Sequence, residues 1–400
     1  MIEYAAGQPA SEINHRIDKL QAGLQKNEVD GALIIQNIDL YYFSGTSQQG
    51  WLYVPAVGAP LLMIFKEFER AVVESAIERI VSLVSPKKIP DCLRDHGYTL
   101  PNTLGLELDV LPTNLYFQFS NIFSGAEMVD ISTPVRLIRA IKSDFEIDCI
   151  RSAAKLSDKV AAKVPELLEP GKTEVALAGE LEAYARSLGH QGIIRMRLFG
   201  SEIFYGHLLS GPAAAVPSYM ASPTGGQGVS TLVGQGAGYR KICRDEMVLV
   251  DYMFALNGYL SDHARIFVMG ELDVELDLAH DAMLEIQEAM KKEAVPGAAS
   301  GELYERMVSM AEDKGYGEFF MGVGERKIRF TGHGVGLEPD EFPFIAKGQK
   351  LELAEGMIIA LEPKVIIPGK GVVGIENTNL VTTSGLESLT TFSDQICRLP

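Results

Sequence analysis

The sequence has few cysteines, and none of them are clustered. Its four cysteines are spread along 400 residues without a CxxC pair, at Cys92, Cys149, Cys243 and Cys397. This spacing argues against a zinc ribbon and against the dense disulfide scaffold of small secreted domains. We therefore expect reduced core cysteines in a cytoplasmic protein.

The chain also lacks basic runs and long apolar runs. Its formal net charge is −17, which repels phosphate backbones and anionic bilayers, so we expect no nucleic-acid partner. We find no charged leader followed by an apolar stretch and no run of eighteen apolar residues. These absences predict neither export nor membrane insertion.

A hydrophobic content of 46% in 400 residues is enough for a large core divided between domains. The first part reads as an α/β domain, with strands at 31–36, 60–65 and 102–108 and a helix at 66–77. Ser143 and Glu146 have capping-box spacing and predict the start of a long helix. We place one domain at 1–138 and a second at 139–400.

The second domain contains the pattern of an internal repeat. Pro170-Gly171 and Pro296-Gly297 are 126 residues apart, and each pair precedes a predicted helix that ends at a glycine, Gly189 or Gly315. The matching Pro-Gly pairs and helix-ending glycines suggest two related α/β halves packed as one domain. The alternative is that the two Pro-Gly pairs coincide by chance.

Two aspartates lie on either side of a hairpin signal. In VLVDYMFALNGYLSDHARIFV, a two-residue loop at Asn257-Gly258 would place Met253 opposite Asp262. Asp251 would then be a diagonal neighbour of Asp262 on the same face. Because close carboxylates raise one another's pKa unless a cation lies between them, the pair predicts a metal.

Two glutamates interrupt apolar strands further on, Glu362 in MIIALEP and Glu376 in GVVGIENTNLV. A two-residue turn at Gly369-Lys370 would place them on opposite faces of the hairpin. A loop with an odd number of residues would bring them together, so a shared metal requires the second register.

His333 in TGHGVGLEPD joins these acids as an imidazole ligand. Four carboxylates neutralise two divalent cations, and oxygen-rich coordination with one imidazole favours Mn²⁺, Fe²⁺ or Co²⁺, with Zn²⁺ as an alternative. Two such ions would hold a bridging hydroxide and polarise a carbonyl.

In order and spacing, the five residues resemble the metal ligands of the pita-bread metallopeptidases, which include methionine aminopeptidase, prolidase, aminopeptidase P and creatinase. They are Asp251, Asp262, His333, Glu362 and Glu376. NIDLYYFSG resembles the creatinase-type amino-terminal domain, which favours the Xaa-Pro peptidase branch. The resemblance implies an α/β (α+β) architecture, a catalytic domain of two pseudo-symmetric halves, and commonly a homodimer.

The same resemblance implies roles for the five residues. Asp262 and Glu376 would bridge the ions, and Asp251 would bind one of them. His333 and Glu362 would bind the other, and Glu362 would also shuttle the proton of the nucleophilic water.

Two accessory histidines of the proline peptidases are missing. Seven residues after His333 the chain has Asp340, and the position after the Ser-Gly motif matches Ser218. We expect Asp340 to act as a base or to bind substrate, Ser218 to donate a hydrogen bond, and His207 to replace part of the lost function. Arg195 alternates with Arg197 on a predicted strand and is a candidate for binding a substrate carboxylate.

Three functions remain open from the sequence. The five ligands favour a metal-dependent Xaa-Pro aminopeptidase or dipeptidase acting on small peptides. Asp340 and Ser218 leave open a lyase or amidinohydrolase acting on a small polar metabolite. The third hypothesis is a binding module that has abandoned catalysis.

Overall fold

The computed structural model describes residues 7–203 and 205–400, apart from the side chain of Arg326. The chain divides into two compact units, Met1–Arg139 and Ala140–Pro400. Among the described residues, no helix combines the length and the apolar character that crossing a membrane requires.

The first unit is a six-stranded mixed sheet with helices, in the strand order β4-β3-β2-β1-β5-β6. The predicted strands and the predicted helix are confirmed as β1, β3, β5 and α3. In chain order its elements are α1 (Ala10–Lys26), β1 (Gly31–Ile34), α2 (Asn37–Ser44), β2 (Gly50–Pro55), β3 (Leu61–Ile64), α3 (Phe68–Glu74), β4 (Ile80–Ser82), α4 (Ile89–Asp95), β5 (Thr103–Leu106), α5 (Thr113–Ile122), β6 (Glu127–Asp130) and α6 (Ser132–Ala140).

The second unit is built on a nine-stranded sheet, whose main path is β11-β10-β12-β15-β9-β8-β7. Strand β16 pairs with β15, strand β17 pairs with β9, and β13 and β14 form a separate hairpin. Its elements are α7 (Asp144–Leu167), α8 (Glu174–Ser187), β7 (Gly206–Ser210), β8 (Met247–Leu256), β9 (Tyr259–Met269), α9 (Val274–Glu293), α10 (Ser300–Asp313), β10 (Phe330–Gly334), β11 (Glu341–Ala346), β12 (Ile358–Leu361), β13 (Lys364–Ile367), β14 (Gly371–Gly374), β15 (Glu376–Thr382), β16 (Gly385–Ser388) and β17 (Cys397–Leu399).

The two halves expected from the repeat are present in this unit. Each begins with a pair of helices, α7 and α8 or α9 and α10, and continues into strands that join the common sheet. An isolated bridge occurs at the start of the second helix in each half, Thr173 with Lys241 and Ala299 with Glu352. The capping box of Ser143 and Glu146 begins α7 as predicted. The halves meet where β9 pairs with β15.

The aspartate hairpin has the predicted register. Asn257 and Gly258 form its two-residue turn with φ values of 52° and 93°, the positive φ at both positions that a type I′ turn requires. Met253 lies opposite Asp262, and Asp251 lies opposite Ala264. Asp251 and Asp262 are therefore diagonal neighbours on one face.

The glutamate hairpin adopts the second of the two registers left open. Ile367 pairs with Gly371, so the turn contains three residues, Pro368 to Lys370. Leu361 pairs with Asn377 on one side of the glutamates, and Lys364 pairs with Gly374 on the other. Glu362 therefore lies opposite Glu376, with both side chains on the same face.

Two sequence expectations are wrong. Residues 191–203 form no strand, so Arg195 and Arg197 do not share a strand face; Arg195 is exposed. All four cysteines are free, as predicted, but none is fully buried, and Cys243 is exposed. Residues 191–203 lie between α8 and β7 and pair with no strand, and apolar side chains without such a partner do not make a strand.

His190 is expected to make stability depend on pH. Its ring packs on Tyr205 and Phe254, and burial lowers its pKa from 6.5 to about 4. The unfolded chain therefore binds a proton at His190 more readily than the folded chain does. The contribution of neutral His190 to the free energy of unfolding is fully present above about pH 6.5 and is lost as the pH falls towards 4. Between about pH 7.5 and 4.5, the His190→Gln variant should therefore lose less stability than the wild type, as measured by thermal unfolding. The matched control His96→Gln, at an exposed site, should follow wild type, and identical pH slopes for all three proteins would contradict this assignment.

Candidate metal centre

Four carboxylates from separate strands converge where the two halves meet. Asp251 lies on β8 and Asp262 on β9, while Glu362 follows β12 and Glu376 begins β15. The pairing of Glu376 with Ala264 sets Asp262 diagonally across from Glu376. Asp262, Glu362 and Glu376 are buried. Two like charges about 4 Å apart repel by about 4 kcal/mol at an effective dielectric constant of about 20, so these acids need compensating positive charge.

His333 faces the same acids from β10, which pairs with β12. Its Nε2 atom lies 3.7 Å from Asp262 Oδ2, 4.0 Å from Glu362 Oε1 and 3.9 Å from Glu376 Oε1. The Nδ1 atom is directed elsewhere, 3.1 Å from the carbonyl oxygen of Gly334. Nε2 is therefore the nitrogen that is presented to a cation.

The electrostatics of the site reflect its surplus of negative charge. Burial raises the pKa of Asp262 to about 7, and the charge of Asp251 adds to the effect. Burial and the neighbouring Asp262 raise the pKa of Glu376 well above its usual range. Burial acts to lower the pKa of His333, but the carboxylates of Asp340, Asp262 and Glu362 outweigh it and raise that pKa.

Lys364 is a member of the site that the sequence reasoning missed. Its buried Nζ atom donates to Glu362 Oε2 at 2.7 Å and to Glu376 Oε2 at 2.6 Å, and lies 3.1 Å from Asp251 Oδ2. Burial acts to lower its pKa, but the charges of Asp251, Glu362 and Glu376 raise it well above its usual range. The sequence shows only that Lys364 is two residues after Glu362, a spacing that favours the same face of an extended segment. Its contacts with Asp251 and Glu376 depend on distant strands. We use the term carboxylate cluster for Asp251, Asp262, His333, Glu362, Glu376 and Lys364.

The donor set fits a divalent cation on the histidine side. One ligand atom each from Asp262, His333 and Glu376 lie within 4.8 Å of one another. Glu362 directs Oε1 towards the same place and Oε2 towards Lys364. Ligands of a four-coordinate cation are separated by about 3.4 Å when the bonds are about 2.1 Å long, so a small inward movement would complete the coordination.

Asp262 and Glu376 are held by buried polar partners. Thr378 Oγ1 accepts a hydrogen bond from the amide of Asp262 and donates one to its carbonyl oxygen, both at 2.8 Å. Arg265 donates to the carbonyl oxygen of Glu376 at 3.0 Å and to Asn377 Oδ1 at 2.8 Å. Such contacts fix the strands that carry the ligands, and so orient the carboxylates themselves.

Two of the candidate catalytic residues lie beside the cluster. His207 on β7 is buried and pairs across the sheet with Asp251. Its Nδ1 atom is 2.8 Å from Thr224 Oγ1, and its Nε2 atom is 3.4 Å from Gln235 Oε1. Burial lowers its pKa, although the nearby Asp251 acts in the opposite direction. Asp340 is partly exposed, and its Oδ1 atom is 3.7 Å from His333 Nδ1.

The candidate substrate-binding residues are placed differently. Ser218 lies outside the helices and strands, where its Oγ accepts a hydrogen bond from the amide of Met220 at 3.2 Å. Arg195 is exposed, whereas the neighbouring Arg197 is nearly buried and lies 3.8 Å from Glu338 Oε2. The roles of Ser218 and Arg195 therefore stay predictions.

Replacing Thr378 with valine should loosen the metal ligands. The near-isosteric Thr378→Val removes both hydrogen bonds to Asp262, which should lower the free energy of unfolding by about 1–3 kcal/mol and the affinity for Mn²⁺ by about 10- to 100-fold. Urea denaturation and calorimetric titration measure the two effects. Thr382→Val, on the same strand but bonded to Gly385, is the control that should leave the affinity unchanged. Unchanged affinity in Thr378→Val would rule out this orienting role.

The chain is similar to known proteins along nearly its whole length. The model of metallopeptidase family M24 matches residues 148–383, and the model of the creatinase/prolidase N-terminal domain matches residues 16–141. The chain is 29% identical over 382 residues to an Xaa-Pro dipeptidase of Pyrococcus furiosus, covering 94% of this chain and 98% of the relative.

Solved structures show the same fold. A prolidase from Pyrococcus horikoshii has a TM-score of 0.79 and 27% identity, covering 95% of this chain and 99% of its own. A prolidase from Pyrococcus furiosus has a TM-score of 0.76 and 28% identity, covering 93% and 99%. The resemblance drawn from the five ligand positions is thereby confirmed, and the chain belongs to metallopeptidase family M24, with a creatinase/prolidase-type amino-terminal domain.

Proposed function

We propose that this M24 peptidase hydrolyses the amide bond of small Xaa-Pro peptides, as a dipeptidase or an aminopeptidase. The observation that carries the proposal is the convergence of Asp262, His333, Glu362 and Glu376 in one buried cluster. Relatives named Xaa-Pro dipeptidase and prolidase support the substrate class, because they align with this chain over nearly their whole length.

The ligand set supports a divalent cation of the Mn²⁺, Fe²⁺ or Co²⁺ class, with Zn²⁺ as the alternative. When bound, such a cation acts as a Lewis acid towards the substrate carbonyl and makes water a better nucleophile. Asp262, His333 and Glu376 would hold it, together with Oε1 of Glu362.

Glu362 is the residue we assign to proton transfer. Its Oε2 atom accepts a hydrogen bond from Lys364, which fixes the carboxylate and leaves Oε1 facing His333. A carboxylate held in this way can take a proton from the attacking water and return it to the leaving nitrogen.

Four polar side chains are proposed to position the substrate. Burial lowers the pKa of His207, which favours the neutral imidazole, and a neutral imidazole can donate a hydrogen bond to a carbonyl oxygen. Asp340 can bind a substrate ammonium group. Ser218 is assigned a hydrogen bond to the substrate, and Arg195 an ion pair with a substrate carboxylate.

The family resemblance supports a proposal for the compartment and the oligomeric state of the enzyme. We propose a cytoplasmic homodimer, supported for the compartment by the absence of disulfides among the described residues. Light scattering coupled to gel filtration measures the assembly, and a monomer at working concentration would rule out the dimer.

A peptide panel tests the proposed activity. The Mn²⁺-loaded or Co²⁺-loaded protein should cleave Xaa-Pro dipeptides or tripeptides and should cleave matched Xaa-Ala peptides much more slowly. If no Xaa-Pro peptide is cleaved while guanidino or sulfonio metabolites are consumed, the peptidase assignment falls and the non-peptidase alternative replaces it.

Replacing Glu362 tests the proton-transfer role. Glu362→Gln keeps the size of the side chain but removes its basicity, so kcat should fall by about 10²- to 10⁴-fold. The matched control Glu355→Gln, at an exposed acid in the same segment, should retain wild-type kcat. Steady-state kinetics on an Xaa-Pro dipeptide provide the measurement, and a Glu362→Gln enzyme with normal kcat would exclude this role.

A further inference from the structure

Lys364 occupies a distinctive position within the carboxylate cluster. An ammonium group has three N–H donors, and here three different carboxylates surround it, from Asp251, Glu362 and Glu376, at 2.6–3.1 Å. The side chain of Lys364 is 1% exposed. The hydrogen-bonding capacity of the ammonium group is thus satisfied entirely by the acids of the cluster.

The two glutamates divide their oxygens between two positions. Both Oε1 atoms face His333 Nε2, at 4.0 Å for Glu362 and 3.9 Å for Glu376. Both Oε2 atoms accept hydrogen bonds from Lys364 Nζ. Each glutamate therefore bridges two cationic positions, and Lys364 fills the one that Asp251 also lines.

We infer that the Lys364 ammonium replaces one of two cations, so that this chain binds a single divalent ion, on the histidine side of the cluster. A second ion bound by Asp251 Oδ2 and Glu376 Oε2 would need oxygens that the ammonium group already occupies, since Nζ lies 3.1 Å and 2.6 Å from them. The inference concerns the number of ions and does not depend on which substrate the enzyme cleaves.

The local backbone is suited to this lysine. Gly374 lies directly opposite Lys364 in the hairpin, and a Cβ atom at position 374 would be 2.7 Å from Lys364 Cα and 3.0 Å from its Cγ. The absence of a side chain at Gly374 therefore leaves room for the lysine stem. Moving the ammonium away would leave a buried charge without these partners, at considerable cost.

Charge accounting agrees with one ion. Four carboxylates carry four negative charges, of which Lys364 offsets one and a divalent cation offsets two. The remaining negative charge suits a substrate ammonium group or a proton. An ammonium supplies charge and hydrogen bonds but has no open coordination position, so Lys364 would stabilise Glu362 and Glu376 without activating water itself.

Metal stoichiometry tests the inference without reference to activity. Chelator-treated wild-type protein titrated with Mn²⁺ in a calorimeter should bind one equivalent, and elemental analysis after dialysis should agree. Lys364→Gly vacates the second position and should bind two equivalents. Lys370→Ala, at a partly exposed lysine in the turn of the same hairpin, is the control and should remain at one.

Paramagnetic resonance provides a second readout. Mn²⁺-loaded wild type should give the spectrum of an isolated ion, whereas Lys364→Gly with two ions about 3.5–4 Å apart should show exchange coupling.

The inference would be overturned if the wild type bound two equivalents or none. A folded Lys364→Gly that still binds one equivalent would also overturn it, as would a second equivalent in Lys370→Ala. If circular dichroism shows that Lys364→Gly does not fold, the wild-type stoichiometry and spectrum decide alone. Peptide cleavage with two bound ions would leave the proposed activity intact and reject only this inference.

Discussion

Compensation of buried negative charge is the constraint on which the site of this protein depends. Asp262 and Glu376 are almost fully buried, and burial together with neighbouring carboxylates raises the pKa of each. Such a group of acids is stable in a folded chain only with cations among them. Lys364 provides one positive charge from within the chain. The imidazole of His333 and the remaining oxygens leave a place for another.

The sheet explains how distant segments supply these groups. The two halves of the second unit meet at the β9–β15 pair, which brings Asp262 and Glu376 together. Strand β8 adds Asp251 on one side, and β10 and the end of β12 add His333 and Glu362 on the other. Since side chains alternate along each strand, every one of these residues reaches the cluster only in one register. Polar partners such as Thr378 and Arg265 then hold the strands in that register.

Several residues depart from the pattern that the resemblance to proline peptidases predicts. Asp340 and Ser218 stand where accessory histidines are expected, and Lys364 lies among the ligands themselves. His207, adjacent to Asp251 on the neighbouring strand, supplies an imidazole from a different position. The fold of the family is therefore combined with a buried lysine among the candidate ligands.

Local signals in the sequence determined much of this protein. The Asn257-Gly258 turn fixed the register of the aspartate hairpin, and the Ser143 capping box fixed the start of α7. The order and spacing of four acids and one histidine identified the candidate ligands. The turn and the capping box depend on neighbouring residues, so they can be read without the fold, and the ligand pattern was read from its resemblance to a family. The length of the turn after Ile367, the entry of Lys364 into the cluster, and the irregular path of residues 191–203 were decided only by tertiary structure. Each of these features depends on residues far away in the chain. Pairing with a distant strand, or contact with distant charges, decides between conformations that the local sequence allows equally well.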